Sequence, residues 1–346
     1  MKTRICITVD TEFSIGGAFT PPHTHRPLSE PVWCGVGGTS QGLGFMLRCF
    51  ETYGVRATFF VESLHPAYFS DVAMRPAVDA IAAAGHELQL HLHPAWAVFA
   101  YDDWRERVVR QPRQDDLAGR SRDDLVRLIE AGCASFARWG LPPPRALRTG
   151  NLQHDWTVYE AMAAAGIPFA SNIGLAIYRS ADPRLALYSG AHEIAGVLEL
   201  PVLSYVDFRL GTQRHLKTLT IQGCGQHETE RLLWQAHTAR LPAVVVLTHP
   251  FEYVHVHNDR YDGAQVNLLT QRRLRQLCRF IARHGDCFES AGIAEAAEAF
   301  ANDARGCNLL LTAPAWTGVR RLIENRLVDH SPQAKASRHA AAETFP

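Results

Sequence analysis

Short, unbroken apolar runs alternate along this chain with longer stretches whose apolar residues fall three and four apart. The runs read as strands buried on both faces, and the stretches as amphipathic helices. Strands are expected at Arg4 to Val9, Ala57 to Val61, Arg145 to Leu147, Pro168 to Asn172 and Val197 to Val202. Thr218 to Gln222, Ala243 to Leu247 and Asp286 to Glu289 read the same way. Helical spacing falls at Gln41 to Tyr53, Asp71 to Ala84, Arg120 to Trp139, His154 to Ala165, Thr229 to Arg240, Gln271 to Arg283 and Ile293 to Phe300. Gly54 and Gly166 supply helix stops, and the Pro142-Pro143-Pro144 run blocks continuation. This alternation predicts an α/β fold: a distorted (β/α) barrel with seven or eight mostly parallel strands, in a single domain. The barrel is expected to span residues 1–302. Residues 303–346 form a C-terminal extension, with a short helix around Gly318 to Leu327 and a mobile tail from Ser331 to Pro346. No Gly-x-Gly-x-x-Gly follows the first strand, which argues against a dinucleotide site.

One strand breaks the apolar rule. Glu87, Gln89, His91 and His93 alternate with Leu88, Leu90 and Leu92 before Pro94 ends the run. A period of two puts His91 and His93 on one face. Two imidazoles so spaced can chelate one ion, or they can be polar residues bonded in a core. Their position favours the first reading. Asp10 and Glu12 follow the first strand, Arg148 the fourth, and His249 a late one. In a barrel the C-terminal strand ends share one mouth, where catalytic groups gather. Two histidines and a carboxylate hold a divalent ion with positions left open. Such an ion acidifies water and polarises a carbonyl. A second carboxylate then serves as general base and a histidine as general acid. The residues after Glu12, rich in glycine and proline and including His23 and His25, form a long loop of the functional kind.

Composition narrows the partners. Of 346 residues, 47% are hydrophobic and 20% charged, and Lys+Arg and Asp+Glu are both 35. Zero net charge gives no sign of nucleic-acid or membrane-surface binding. The chain enters a strand almost at once, without a signal-peptide pattern. No apolar run is long enough to span a bilayer. The eight cysteines lack paired zinc spacing, and several sit in apolar runs and read as reduced core thiols. A cytoplasmic location is expected.

Five segments in order resemble the polysaccharide deacetylase family (carbohydrate esterase family 4), whose fold is a distorted (β/α) barrel. They are Thr8-Val9-Asp10-Thr11-Glu12, Ala57-Thr58-Phe59-Phe60-Val61, Gly85-His86-Glu87-Leu88 leading to His91, Leu147-Arg148-Thr149-Gly150-Asn151, and Leu247-Thr248-His249-Pro250. The resemblance covers roughly residues 3 to 300. It implies metal-dependent hydrolysis of an acyl group, usually N-acetyl on an amino sugar, by water on the metal. It implies Asp10 as general base, Arg148 as the arginine that orients it, His249 as general acid and His91 as a metal ligand. Two positions depart from the family pattern. The family's second aspartate is Thr11 here, which leaves Glu12, or Asp10 itself, as the carboxylate ligand. The family's second histidine is Ala95 here, and His93 is the nearest candidate. The ion expected at Glu12, His91 and His93 is zinc, with cobalt and nickel as alternatives. A hydrolase of a non-sugar C–N bond, allantoinase-like and with or without metal, is the rival reading. A non-catalytic carbohydrate-binding relative is a third.

Other residues carry two readings each. Asn151 is a substrate hydrogen-bonder or ordinary turn chemistry. Trp96 and Trp104 are stacking platforms for a sugar or core residues. His255 and His257 read as surface or substrate-rim residues rather than ligands. The family resemblance makes Asp207 a candidate to orient His249, and Glu199 is a ligand or a solvated charge.

Overall fold

The computed structural model describes residues 2–256, 261, 263–300 and 307–329. His257 and the tail from Ser331 lie outside them. The first strand, β1 (Thr3–Thr11), pairs with three others. Its odd-numbered Ile5, Ile7 and Val9 enter one apolar cluster, and Cys6 enters another. The same parity holds on β2 (Ala57–Glu62), where Phe59 and Val61 part from Phe60. Strand geometry makes this unavoidable, because successive side chains leave on opposite faces. The larger cluster fills the layer between strands and helices. The smaller one, with Cys6, Phe60, Ala146, Val245 and Leu247, fills the concave interior of a curled sheet.

Further strands are β3 (Glu87–Leu92), β4 (Ala146–Thr149), β5 (Phe169–Ala170), β6 (His192–Ile194) and β7 (Val197–Glu199). The hairpin β8 (Ser204–Leu210) and β9 (Gln213–Thr218) is followed by β10 (Ala243–Thr248), β11 (Phe288–Ser290) and β12 (Leu311–Thr312). The sheet runs β10-β1-β2-β3-β4-β5-β7-β6, parallel except for β6. β11 pairs with β1 on the edge below β2. Among the described residues no continuous ladder closes the β7/β6 end of this order onto β10. Lone bridges, Val202 to Val245 and Thr220 to Leu247, draw the ends together. This is the single-domain, mostly parallel, distorted barrel that the alternation predicts.

Most helices cover the outer face, whereas the one that ends at Phe300 packs Ile293, Ala296, Ala297 and Phe300 into the interior cluster. The helices include α1 (Leu43–Tyr53), α2 (Arg75–Ala83), α3 (Trp104–Arg110), α4 (Arg122–Arg138), α5 (Trp156–Ala164) and α6 (Gln226–Thr238). After these come α7 (Leu268–Arg283), α8 (Ile293–Phe300) and α9 (Ala315–Asp329). The side chains of Ser121 and Asp155 cap α4 and α5 by accepting from Asp124 N and Val158 N. Such caps contribute about 1 kcal/mol each.

Two expectations need correction. Thr218 to Gln222 is not an independent strand: Thr218 ends β9, and Thr220 makes only its single bridge. The β8/β9 hairpin was not anticipated, because charged residues interrupt both of its arms. The short C-terminal helix is real and longer than predicted, and β12 ahead of it adds to β8.

Candidate active site

All the expected site residues on strands share the interior parity. Asp10 and Glu12 continue the face of Cys6, Arg148 that of Ala146, and His249 that of Leu247. His91 and His93 lie opposite in parity to the outward Leu90 and Leu92. Register aligns them too, with His91 beside Arg148 and beside Glu62 of β2. The polar groups therefore converge at the C-terminal mouth of the barrel.

Glu12, His91 and His93 form a cluster whose ligand atoms all lie within 4.8 Å of one another. Glu12 Oε2 is 2.7 Å from His93 Nε2 and 3.5 Å from His91 Nε2. Each ring has its other nitrogen engaged. His91 Nδ1 donates to the Arg148 carbonyl at 2.8 Å, and His93 Nδ1 donates to Asp115 Oδ2 at 2.9 Å. Those bonds fix the rings and leave both Nε2 atoms pointing at Glu12. This outer support is what a metal-binding histidine needs. Burial opposes the charges here. Even so, the imidazoles hold Glu12 well below the ordinary carboxylate range, and Glu12 and Asp115 hold His93 well above the ordinary imidazole range. A divalent cation in place of the shared protons satisfies the same atoms, so the donor set fits one.

Asp115 carries no sequence signal, since it lies in an aperiodic polar loop. Its carboxylate also accepts from Ala95 N, Arg113 and Asn151 Nδ2. Burial acts against ionisation, yet the histidine and Arg113 pull the acid down, so Asp115 stays ionised. Glu62 was likewise missed, although it shares the interior parity. It is fully buried and accepts from Leu64 N, His65 N and, at 3.4 Å, His93 N.

The glycine of the Leu147-Arg148-Thr149-Gly150-Asn151 segment has a direct role in this geometry. A Cβ on Gly150 would lie 2.6 Å from His93 Nδ1 and 2.7 Å from Cε1. Gly150→Ala is therefore expected to displace the His93 ring and weaken retention of a divalent ion at least about tenfold, the scale on which outer support matters. Metal titration of the folded variant checks this. Unchanged affinity would remove His93 from the ligand set.

Arg148 lies fully buried beneath the mouth. Its Nη1 donates to Asp10 Oδ1 at 3.0 Å, and its Nη2 to Thr8 Oγ1 at 3.1 Å and Ser171 Oγ at 2.8 Å. Its guanidinium also lies 4.6 Å over the Phe60 ring. Asp10, 4% exposed, is held by this cation.

His249 faces Asp10 from the other side, with Nε2 3.8 Å from Oδ2. Its ring stacks on Phe251 at 4.8 Å. Its Nδ1 donates to Glu252 Oε1 at 3.0 Å. Thr248 Oγ1 donates to the other oxygen at 2.7 Å, and the Tyr253 hydroxyl backs Thr248 at 3.1 Å. Burial works against the imidazolium, but the Glu252 bond and charge, with Asp10 and Glu12, raise its pKa to about 9. Glu252, not Asp207, is therefore the partner of His249. Asp207 is paired with His215 and Arg321. Glu199 is neither ligand nor solvated charge. It is fully buried and accepts from Asn172 N, Ile173 N and the Tyr159 hydroxyl, and burial lifts it to about 7.

Beside the cluster opens a cavity of about 380 Å³. Glu12 and His93 line it, with Phe13, Phe19, Trp96 and Phe251 as apolar walls and Asn151 and Arg113 as polar ones. Trp96 serves both readings: it is 1% exposed and packs on Phe99, yet it forms part of the cavity wall. Asn151 lines the cavity from a left-handed backbone position, φ 53°. Trp104 packs against Phe99 and Tyr68, away from this cavity. His255 lies in a two-residue strand rather than in the cluster.

No family model matches the chain, and no curated protein matches it. Solved structures do. A protein from Mycobacterium smegmatis assigned as a polysaccharide deacetylase is 17% identical, with TM-score 0.45 over 86% of this chain and 91% of that one. The Xyl-CE4 domain of a multidomain xylanase from the hindgut metagenome of Trinervitermes trinervoides is 14% identical, with TM-score 0.43 over 92% and 100%. A CE4 family pseudoenzyme from Bacillus anthracis is 11% identical, with TM-score 0.40 over 86% and 66%. At such distances these likenesses fix no residue's role.

Proposed function

We propose that this chain is a metal-dependent hydrolase that removes an acyl group, N-acetyl above all, from a carbohydrate. The observation that carries the proposal is the convergence of Glu12, His91 and His93, with both Nδ1 atoms already engaged. These three residues would hold zinc, for which two imidazoles and a carboxylate with open positions are a suitable donor set. When bound, the ion supplies a Lewis acid that acidifies water and stabilises negative charge on the acyl oxygen.

The chain's own residues supply the rest. Asp10, held by Arg148, accepts a proton from the attacking water at its free oxygen, Oδ2. Arg148 keeps the lone pairs of that carboxylate fixed. His249, protonated and held by Glu252, donates from Nε2 to the departing amine or alcohol. The aromatic walls exclude water and present a flat apolar face to a sugar ring.

The test is acetate release by chelated protein to which zinc, cobalt or nickel is restored, using N-acetylated and O-acetylated sugars. Metal-dependent release is expected, larger on the N-acetyl compounds. Full activity after exhaustive chelation would favour metal-free cleavage of another C–N bond. Sugar binding with no turnover under any metal would leave a binding protein.

A further inference from the structure

Helix α9 is turned inside out. An amphipathic surface helix ordinarily buries its apolar side. Here Thr317, Arg321 and Glu324, at i, i+4 and i+7, face the body. Arg321 bridges Asp207 of β8 and Glu228 of α6, and Glu324 meets Arg273 of α7. Asp207 and Glu228 are buried, so these pairs form a firm anchor rather than a surface decoration. The anchor holds Trp316, Val319, Leu322 and Ile323 outward, each between 48% and 59% exposed.

Phe208 of the hairpin and Ile177 extend the same patch. Among the described residues, six of the eleven exposed large apolar side chains gather here. A groove of about 670 Å³ runs between helix and hairpin. Apolar surface this concentrated marks an interaction site. Its rim is basic. Arg209 and Arg214 are exposed and Lys217 lines the groove, whereas Asp207 is buried under Arg321 and Glu324 is shared between Arg273 and the exposed Arg320.

We infer that this face docks on an anionic lipid surface, with Trp316, Val319, Leu322 and Ile323 entering the headgroup boundary and the arginines meeting acidic headgroups. Large apolar side chains within a basic rim are the pattern of interfacial binding. A second copy of the chain fits less well, because self-pairing would bring the basic rims together. No described helix is long and apolar enough to cross a membrane, so the contact is peripheral. The neutral whole-chain charge conceals this face, since composition averages over it. The inference is independent of the hydrolase reading.

The test is cosedimentation of the full chain with vesicles of phosphatidylcholine alone and of phosphatidylcholine with phosphatidylglycerol. Binding is expected only to the second and should weaken with added salt. Val319→Asp with Ile323→Asp should reduce it at least about tenfold, and Arg214→Glu with Lys217→Glu should act similarly. All four side chains lie at least partly open to solvent, and thermal melts check that both variants fold. Equal binding by the variants, or no binding by the parent chain, would overturn the inference. So would a concentration-dependent dimer that Val319→Asp dissolves, which would assign the face to a second copy. Binding gained only by a chain ending at Asp329 would assign it to cover by the chain's own last residues.

Discussion

Asp10→Asn is expected to lower kcat by about 10²- to 10⁴-fold, the usual contribution of a positioned acid or base, while bound metal stays near stoichiometric. The isosteric amide keeps an oxygen to accept from Arg148 Nη1, now 3.0 Å from Oδ1, so local geometry survives while basicity is lost. Asp10→Leu differs in kind. It leaves Arg148 fully buried with its nearest counter-charge gone, and removing one partner of such a pair costs about 3–5 kcal/mol. Denaturant melts should therefore separate the two variants by most of that amount, although both are inactive. Steady-state kinetics and elemental analysis decide the assignment. If Asp10→Asn keeps its metal and turns over within a few-fold of the parent, Asp10 is not the base. If the metal leaves with the carboxylate, Asp10 is the ligand and Glu12 is not.

A companion change isolates the cluster. His91→Ala with His93→Ala should abolish bound metal while leaving the Asp10–Arg148 pair intact, and elemental analysis reads that outcome directly. Near-stoichiometric metal in the double variant would remove both residues from the ligand set.

Strand parity explains why so much of this mouth was legible in the sequence. Once Leu90 and Leu92 face the helices, His91 and His93 must face inward, and the same count along β1 carries Asp10 and Glu12 to the same side. The supporting groups obey no such count. Asp115 reaches His93 from an irregular loop, and Glu252 reaches His249 from the turn after Pro250. Their contribution depends on loop paths that periodicity does not describe. Glu62 is the exception: its parity was readable, but a charged residue at the end of an apolar run reads as the start of a loop. The hairpin escaped for a related reason. Val206, Phe208 and Leu210 alternate with Asp207 and Arg209, but this is not an unbroken apolar run, and a register shift between Val206 and Phe208 leaves Asp207 buried and Phe208 exposed. The family resemblance is what suggests Asp207 as a partner for His249. Its real partner, Arg321, comes from the far end of the chain.

The second large effect falls on the acid. His249→Ala should lower kcat by a further factor of about 10²–10⁴ on N-acyl substrates, and by less on O-acyl esters, whose alcohol leaves more readily than an amine. The pH profile gives the sharper test. His249 must carry its proton to donate it, so activity should fall as pH rises through about 9. Burial alone would lower that pKa. The Glu252 carboxylate, 3.0 Å away, is the largest of the influences that raise it. Glu252→Gln therefore shifts the alkaline limb toward acid, with kcat at low pH better preserved than at pH 8. The same linkage acts on stability. A folded pKa above the ordinary 6.5 means that His249 contributes stability in full below 6.5, and the contribution is lost as pH rises through about 9. Melts across that window should show the loss in the parent chain and a smaller one in Glu252→Gln. If Glu252→Gln leaves the alkaline limb in place, a group other than His249 is the acid. If it abolishes activity at every pH without moving the limb, Glu252 positions the ring rather than tuning its proton.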